Sequence, residues 1–144
     1  MENDLPFVDE HRLLVPAPAP VVWRHLTAQI PRFASSGSFA RLLGAQPQAV
    51  WGTPPEQGAT LPGFKVAQVV PGHRLVLTGR HRFSRYALIL TLTEQPDGTM
   101  LLARTQAEFP GFSGGVYRQL VIGSGIHASV VARLLRRISQ AAQG

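Results

Sequence analysis

The apolar positions of this chain change period partway along its length. From Pro20 onward, Val21, Val22, Trp23, Leu26 and Ile30 recur at helical spacing, with Pro20 suited to a first helical turn. Ahead of them, His11 to Val15 is apolar enough for a short strand, which Pro16 stops. Pro16-Ala17-Pro18-Ala19-Pro20 is a rigid connector that cannot continue a sheet. Pro31 ends or kinks the first helix. A second short helix is predicted from about Ile30 to Leu43, interrupted near Ser35-Ser36-Gly37 and closed by Gly44.

After Gly44 the period moves toward two. Gln48 to Trp51 reads as a short strand and Gly52 to Gly63 as a loop rich in Gly and Pro. Phe64 to Val70, Leu75 to His81, Tyr86 to Thr93 and Thr99 to Phe109 are predicted strands, with turns at Pro71-Gly72 and Asp97-Gly98. Pro110 to Gly115 breaks the sheet. Val116 to about Ser139 is predicted as a helix about 35 Å long at 1.5 Å per residue. Tyr117, Leu120, Ser124, His127, Val131, Leu134, Leu135 and Ile138 fall on one side of it, and Arg118, Arg133, Arg136 and Arg137 elsewhere.

The composition narrows the class. A chain of 144 residues has room for one compact domain, assigned to residues 11–142 behind a flexible lead-in at residues 1–10. At 44% hydrophobic it is not a disordered polar chain, and no apolar run approaches the roughly 18 residues of a membrane span. Cysteine is absent, which excludes disulfides and thiolate sites. Met1-Glu2-Asn3-Asp4 does not read as a secretory signal, so a cytoplasmic location is expected. The net charge is +6, carried by thirteen arginines and Lys65, a bias that GC-rich bacterial coding also produces. The arginines are spread from Arg12 to Arg137 without a long basic tract. Specific nucleic-acid binding is therefore not expected.

Helices segregated to the two ends of a strand meander make an α+β layer fold. The opening His11 to Trp23, with its Val15-Pro16-Ala17-Pro18 connector and early Trp, resembles the start of the START-related, birch-pollen-allergen-like superfamily (SRPBCC). Val70-Pro71-Gly72-His73-Arg74-Leu75 and Asp97-Gly98-Thr99-Met100-Leu101 sit where that family places hairpin turns. The resemblance covers essentially the whole chain. It implies a helix-grip fold: a curved antiparallel sheet around a long C-terminal helix, with two short helices after the first strand. It also implies a cavity for a hydrophobic ligand, as in lipid and hormone carriers or polyketide aromatase/cyclases. Fold alone does not choose among these.

Candidate chemistry concentrates at a few positions. His127 lies on the apolar face of the last helix, in line with Ser124 and Tyr117, where Gly123, Gly125 and Ala128 clear space beside it. It is either a buried, satisfied histidine or a cavity acid/base. Arg80-His81-Arg82-Phe83-Ser84-Arg85-Tyr86 is the densest polar-aromatic stretch. A tight hairpin around Phe83-Ser84 would bring His81 and Tyr86 together, with Arg82 or Arg85 as an anion clamp; the alternative is a solvated arginine rim. On the last strand, counting from Gly98-Thr99 puts Leu101, Ala103, Thr105, Ala107 and Phe109 on one face. With the reverse register, Arg104 and Glu108 become a buried pair.

The histidines at positions 11, 25, 73, 81 and 127 include no close-spaced ligand pair, so neither a metal nor another cofactor is expected. The expected function is binding of a small hydrophobic molecule, aromatic, polyketide-like or lipid-like. Its expected lining is Trp51, Phe64, Leu77, His81, Tyr86, Leu90, Ala103, Thr105, Tyr117, Leu120, Ser124 and His127. The alternatives are a cofactor-independent cyclase or dehydratase, with His127, Tyr86, Arg82 and Arg85 as catalytic candidates, and a protein-interaction module without a ligand. A monomer or homodimer fits either.

Overall fold

The computed structural model describes residues 5, 7–33, 57–61, 64–81, 84–108 and 126–143. Strand β1 (Phe7–Val15) leads through the proline connector into helix α1 (Ala19–Phe33). Strands β2 (Thr60–Leu61), β3 (Phe64–Val70), β4 (Arg74–His81), β5 (Ser84–Gln95) and β6 (Gly98–Glu108) precede helix α2 (Ile126–Gln143). The strands form one antiparallel sheet in the order β1-β6-β5-β4-β3-β2. No described helix is long and apolar enough to cross a membrane.

Alternation explains which face is buried. Directly opposed residues of antiparallel strands share a face. Leu13, Leu101 and Leu92 form one row, His11, Ala103, Leu90 and Leu75 the next, then Asp9, Thr105, Leu88 and Leu77. These rows belong to the face that packs on the helices. Val22, Leu26 and Ile30 of α1 and Val131, Leu134, Leu135 and Ile138 of α2 join the same core, while Arg24, Arg133, Arg136 and Arg137 point to solvent. α2 lies against α1, β1 and β6, which completes an α+β helix-grip fold. Bulges in β1 and β3, where irregular register bends a strand, help to curve the sheet.

The turns follow from their residues. Pro71 and Gly72, the latter at φ +79°, occupy the central positions of a turn closed by His73 N–H donating to the Val70 carbonyl at 2.9 Å. That is type II chemistry. The β5–β6 loop is Pro96-Asp97, because Gln95 already pairs with Gly98. Gly98 opens β6 at φ +145°, where a Cβ would run into the Val15 carbonyl oxygen. Beside it, the buried Thr99 hydroxyl donates to the Ala17 carbonyl at 2.8 Å, tying β6 to the proline connector.

Some boundaries differ from expectation. β1 begins at Phe7, so the last four residues of the acidic lead-in belong to the sheet. α1 runs two residues past Pro31, which falls in its last turn and removes one hydrogen-bond donor. The segment expected to be a loop contains β2, and α2 reaches Gln143 rather than Ser139. The second short helix, the strand at Gln48 to Trp51 and residues 116–125 of the last helix lie outside the described residues. His81 pairs with Ser84 and Tyr86 with Gly79, so the hairpin is not centred on Phe83-Ser84. That pairing places His81 and Tyr86 diagonally rather than opposite.

Gly98→Ala is expected to lower unfolding free energy by about 2–4 kcal/mol, from a disfavoured φ plus a backbone collision. Gly72→Ala, with nothing within 4 Å of the added methyl, is expected to cost about 1 kcal/mol. Urea denaturation of the two variants checks the order.

Candidate functional site

The face of the sheet turned toward α2 changes character along its length. Around Leu13, Leu101, Leu75 and Leu90 it is apolar and closed by the two helices. Two rows further, at Ala107, Tyr86 and Gly79, it becomes aromatic and half-open. Tyr86 meets Phe64 edge to face, with ring centroids 5.5 Å apart and planes at 67°. Gly79 lies on the strand between them and has no side chain to keep the rings apart. Both rings are half-buried and pack at the margin of the core.

A polar pair lies on the same face. Asp9 and His11 are two residues apart on β1, in the rows of Thr105 and Ala103. His11 Nε2 is 3.4 Å from Asp9 Oδ2, a long contact between side chains that keep 26% and 25% of their surface exposed. Thr105, directly across from Asp9, is buried. This pair was not among the sequence candidates. The signal was present as Asp-x-His, which in a strand puts both side chains on one side, but the acidic composition of residues 1–10 concealed the strand.

The outer face holds most of the other charged side chains of the sheet. Arg12 donates to Glu10 through Nε and Nη2, and Arg85 Nε lies 3.3 Å from Glu108. Phe7 is shifted onto this face by the β1 bulge, and the Arg104 guanidinium carbon lies 5.1 Å from its ring centroid. Gln106 is buried here, and its Oε1 accepts no hydrogen bond among the described residues. The register of β6 therefore puts Leu101, Ala103, Thr105 and Ala107 inward and Arg104 and Glu108 outward, half-buried, not as an interior pair.

Of the sequence-selected residues, Phe64, Leu77, Tyr86, Leu90, Ala103 and Thr105 share the face toward α2. Leu77, Leu90 and Ala103 are fully covered there as core. Arg85 is exposed on the opposite face from Tyr86, so the two do not converge. His81 and His127 are placed by backbone only, in β4 and α2. Trp51, Arg82, Phe109, Tyr117, Leu120 and Ser124 lie outside the described residues. Among the described residues, no three His, Asp or Glu side chains are grouped as a metal site. The exposed large apolar side chains among them are Phe7, Leu14 and Val70. Phe7 and Leu14 are seven residues apart on β1, and Val70 is on β3, so the three make no single patch.

No protein-family model matches this chain, and no curated protein matches it in sequence. Its fold is found among solved structures. The di-domain ARO/CYC protein StfQ of the steffimycin biosynthetic pathway superposes with a TM-score of 0.61 at 14% identity, over 99% of this chain and 52% of that one. A protein from Thermus thermophilus gives 0.60 at 17% identity, over 96% and 97% of the two chains. Protein CV1439 from Chromobacterium violaceum gives 0.57 at 16% identity, over 96% and 99%. At such identities the likeness carries the helix-grip fold and nothing finer.

The Phe64–Tyr86 contact is open to direct measurement. A double-mutant cycle of Phe64→Leu and Tyr86→Leu is expected to give a coupling of about 0.5–1.5 kcal/mol, and additive effects would mean the rings do not meet in solution.

Proposed function

We propose that this chain binds a small, largely apolar molecule, aromatic or polyketide-like, between the sheet and α2. The observation that carries this reading is the half-open Phe64–Tyr86 pair on the helix-facing side of the sheet. A ligand wall offers rings at the margin of a packed core, with a few polar groups nearby to orient the guest. Asp9, His11 and Thr105 supply such groups on the same face. Trp51, His81, Tyr117, Leu120, Ser124 and His127 complete the proposed lining. The likeness to StfQ, an ARO/CYC protein of a biosynthetic pathway, supports the same class of guest.

A second reading makes the chain a cyclase or dehydratase for such a guest, again supported by the StfQ likeness. In it, His127 moves a proton at a carbon beside a carbonyl, and Tyr86 with Arg82 stabilises the oxyanion. Arg85 takes no part, because it lies on the outer face with Glu108. Binding remains the primary reading, since it needs only the lining and no aligned acid/base pair.

Native mass spectrometry of protein purified from its source is expected to reveal a co-purifying apolar molecule. In vitro, N-phenyl-1-naphthylamine is expected to gain fluorescence on binding, and Tyr86→Ala to weaken it about tenfold. Unchanged affinity in that variant contradicts the site. For the second reading, His127→Gln is expected to cut turnover of a supplied polyketide substrate by about 10²–10⁴-fold with affinity retained. Unaltered turnover removes His127 from catalysis.

A further inference from the structure

The Asp9–His11 pair has a chemical direction. A carboxylate only accepts hydrogen bonds, so its contact with His11 Nε2 places the hydrogen on that nitrogen. In the neutral ring, Nδ1 is then an acceptor, and no described residue donates to it. The surroundings set the pair apart from the other charges of the sheet. Glu10 and Glu108 face outward and are matched by Arg12 and Arg85. Asp9 and His11 instead occupy the helix-facing rows of Thr105 and Ala103, the Asp9 row next to the one that holds Tyr86 and the His11 row one further along. The bulge between Phe7 and Asp9 fixes this: it turns Phe7 outward and keeps Asp9 in phase with His11.

Resting on the binding reading above, we propose that Asp9 and His11 recognise a hydroxyl on the bound molecule. His11 Nδ1 accepts the hydrogen bond of a phenolic or enolic O–H, and Asp9 is a positioning residue that holds the ring in the required tautomer. The guest is thereby specified as an apolar aromatic or enolic compound with a free hydroxyl. An ether or an unsubstituted hydrocarbon of the same shape satisfies the aromatic wall but leaves the imidazole acceptor unmatched.

Two naphthalenes test this on the intact chain: 2-naphthol, which donates, and 2-methoxynaphthalene, which has the same ring and oxygen but no donor. Calorimetry is expected to show 2-naphthol binding about tenfold tighter, although the ether is the more apolar. His11→Phe is expected to erase the difference between the two compounds. Asp9→Ala is expected to shrink the preference with His11 still present, an effect a merely structural residue would not have on a ratio. Ring ¹⁵N shifts of His11 in the wild-type protein supply a readout independent of any variant, and they are expected to move with 2-naphthol and not with the ether. Equal affinity for both compounds overturns the hydroxyl pair and leaves the binding reading standing. Failure of the wild-type chain to bind either compound overturns both readings together.

Discussion

The constraint on which the rest depends is the register of β6 between its two long neighbours. Leu101 opposite Leu13 and Leu92, and Thr105 opposite Asp9 and Leu88, sort every side chain of three strands onto one face or the other. A slip of one residue would exchange the two faces. The apolar rows would then meet solvent, and Arg104 and Glu108 would meet the helices. The register is held at one end by Gly98, which lets β6 start hard against Val15, and by the Thr99 hydroxyl on the Ala17 carbonyl. At the other end the β1 bulge absorbs one residue without disturbing the phase of Asp9, His11 and Leu13.

From that sorting comes a division of labour along a single surface. The half of the face nearest the connector is closed by α1 and α2 around Leu26, Ile30, Leu101 and Ile138, all with essentially no exposure, and contributes stability by burial. The other half carries two half-buried rings, and the Asp9–His11 contact, about three-quarters buried, bridges the two halves at the β1 edge. Partly buried polar side chains beside an apolar wall keep some contact with water. They become selective when a guest excludes that water.

Much of the fold was legible in the sequence because its signals are local. Period-two alternation located β3 to the residue and β4, β5 and β6 to within two residues at each end, and Pro71-Gly72 marked its turn through φ preferences alone. The inward face of Leu101, Ala103, Thr105 and Ala107 followed from the same alternation. What stayed hidden depends on pairing between distant segments. Phe7 to Glu10 carries two acids in four residues and looks like a lead-in, and only the partner strand β6 makes it a strand. Asp9 and His11 were lost with it. The meeting of Phe64 with Tyr86 across Gly79 depends on register over three strands, which no local pattern encodes. His81 pairs with Ser84 rather than with Tyr86, which moves Tyr86 from opposite His81 to a diagonal position.

The chain has no cysteine, which permits a direct measurement of the β6 register. Single cysteines introduced in turn at positions 100 to 107 of β6 report accessibility through their rate of thiol alkylation, with and without a saturating apolar naphthalene. The register predicts that slow and fast sites alternate, with Leu101, Ala103, Thr105 and Ala107 slow. It also predicts that guest addition further protects Thr105→Cys and Ala107→Cys while leaving Leu102→Cys unchanged. Protection confined to Met100→Cys, Leu102→Cys and Arg104→Cys, or no alternation at all, would contradict the register and the guest site built on it.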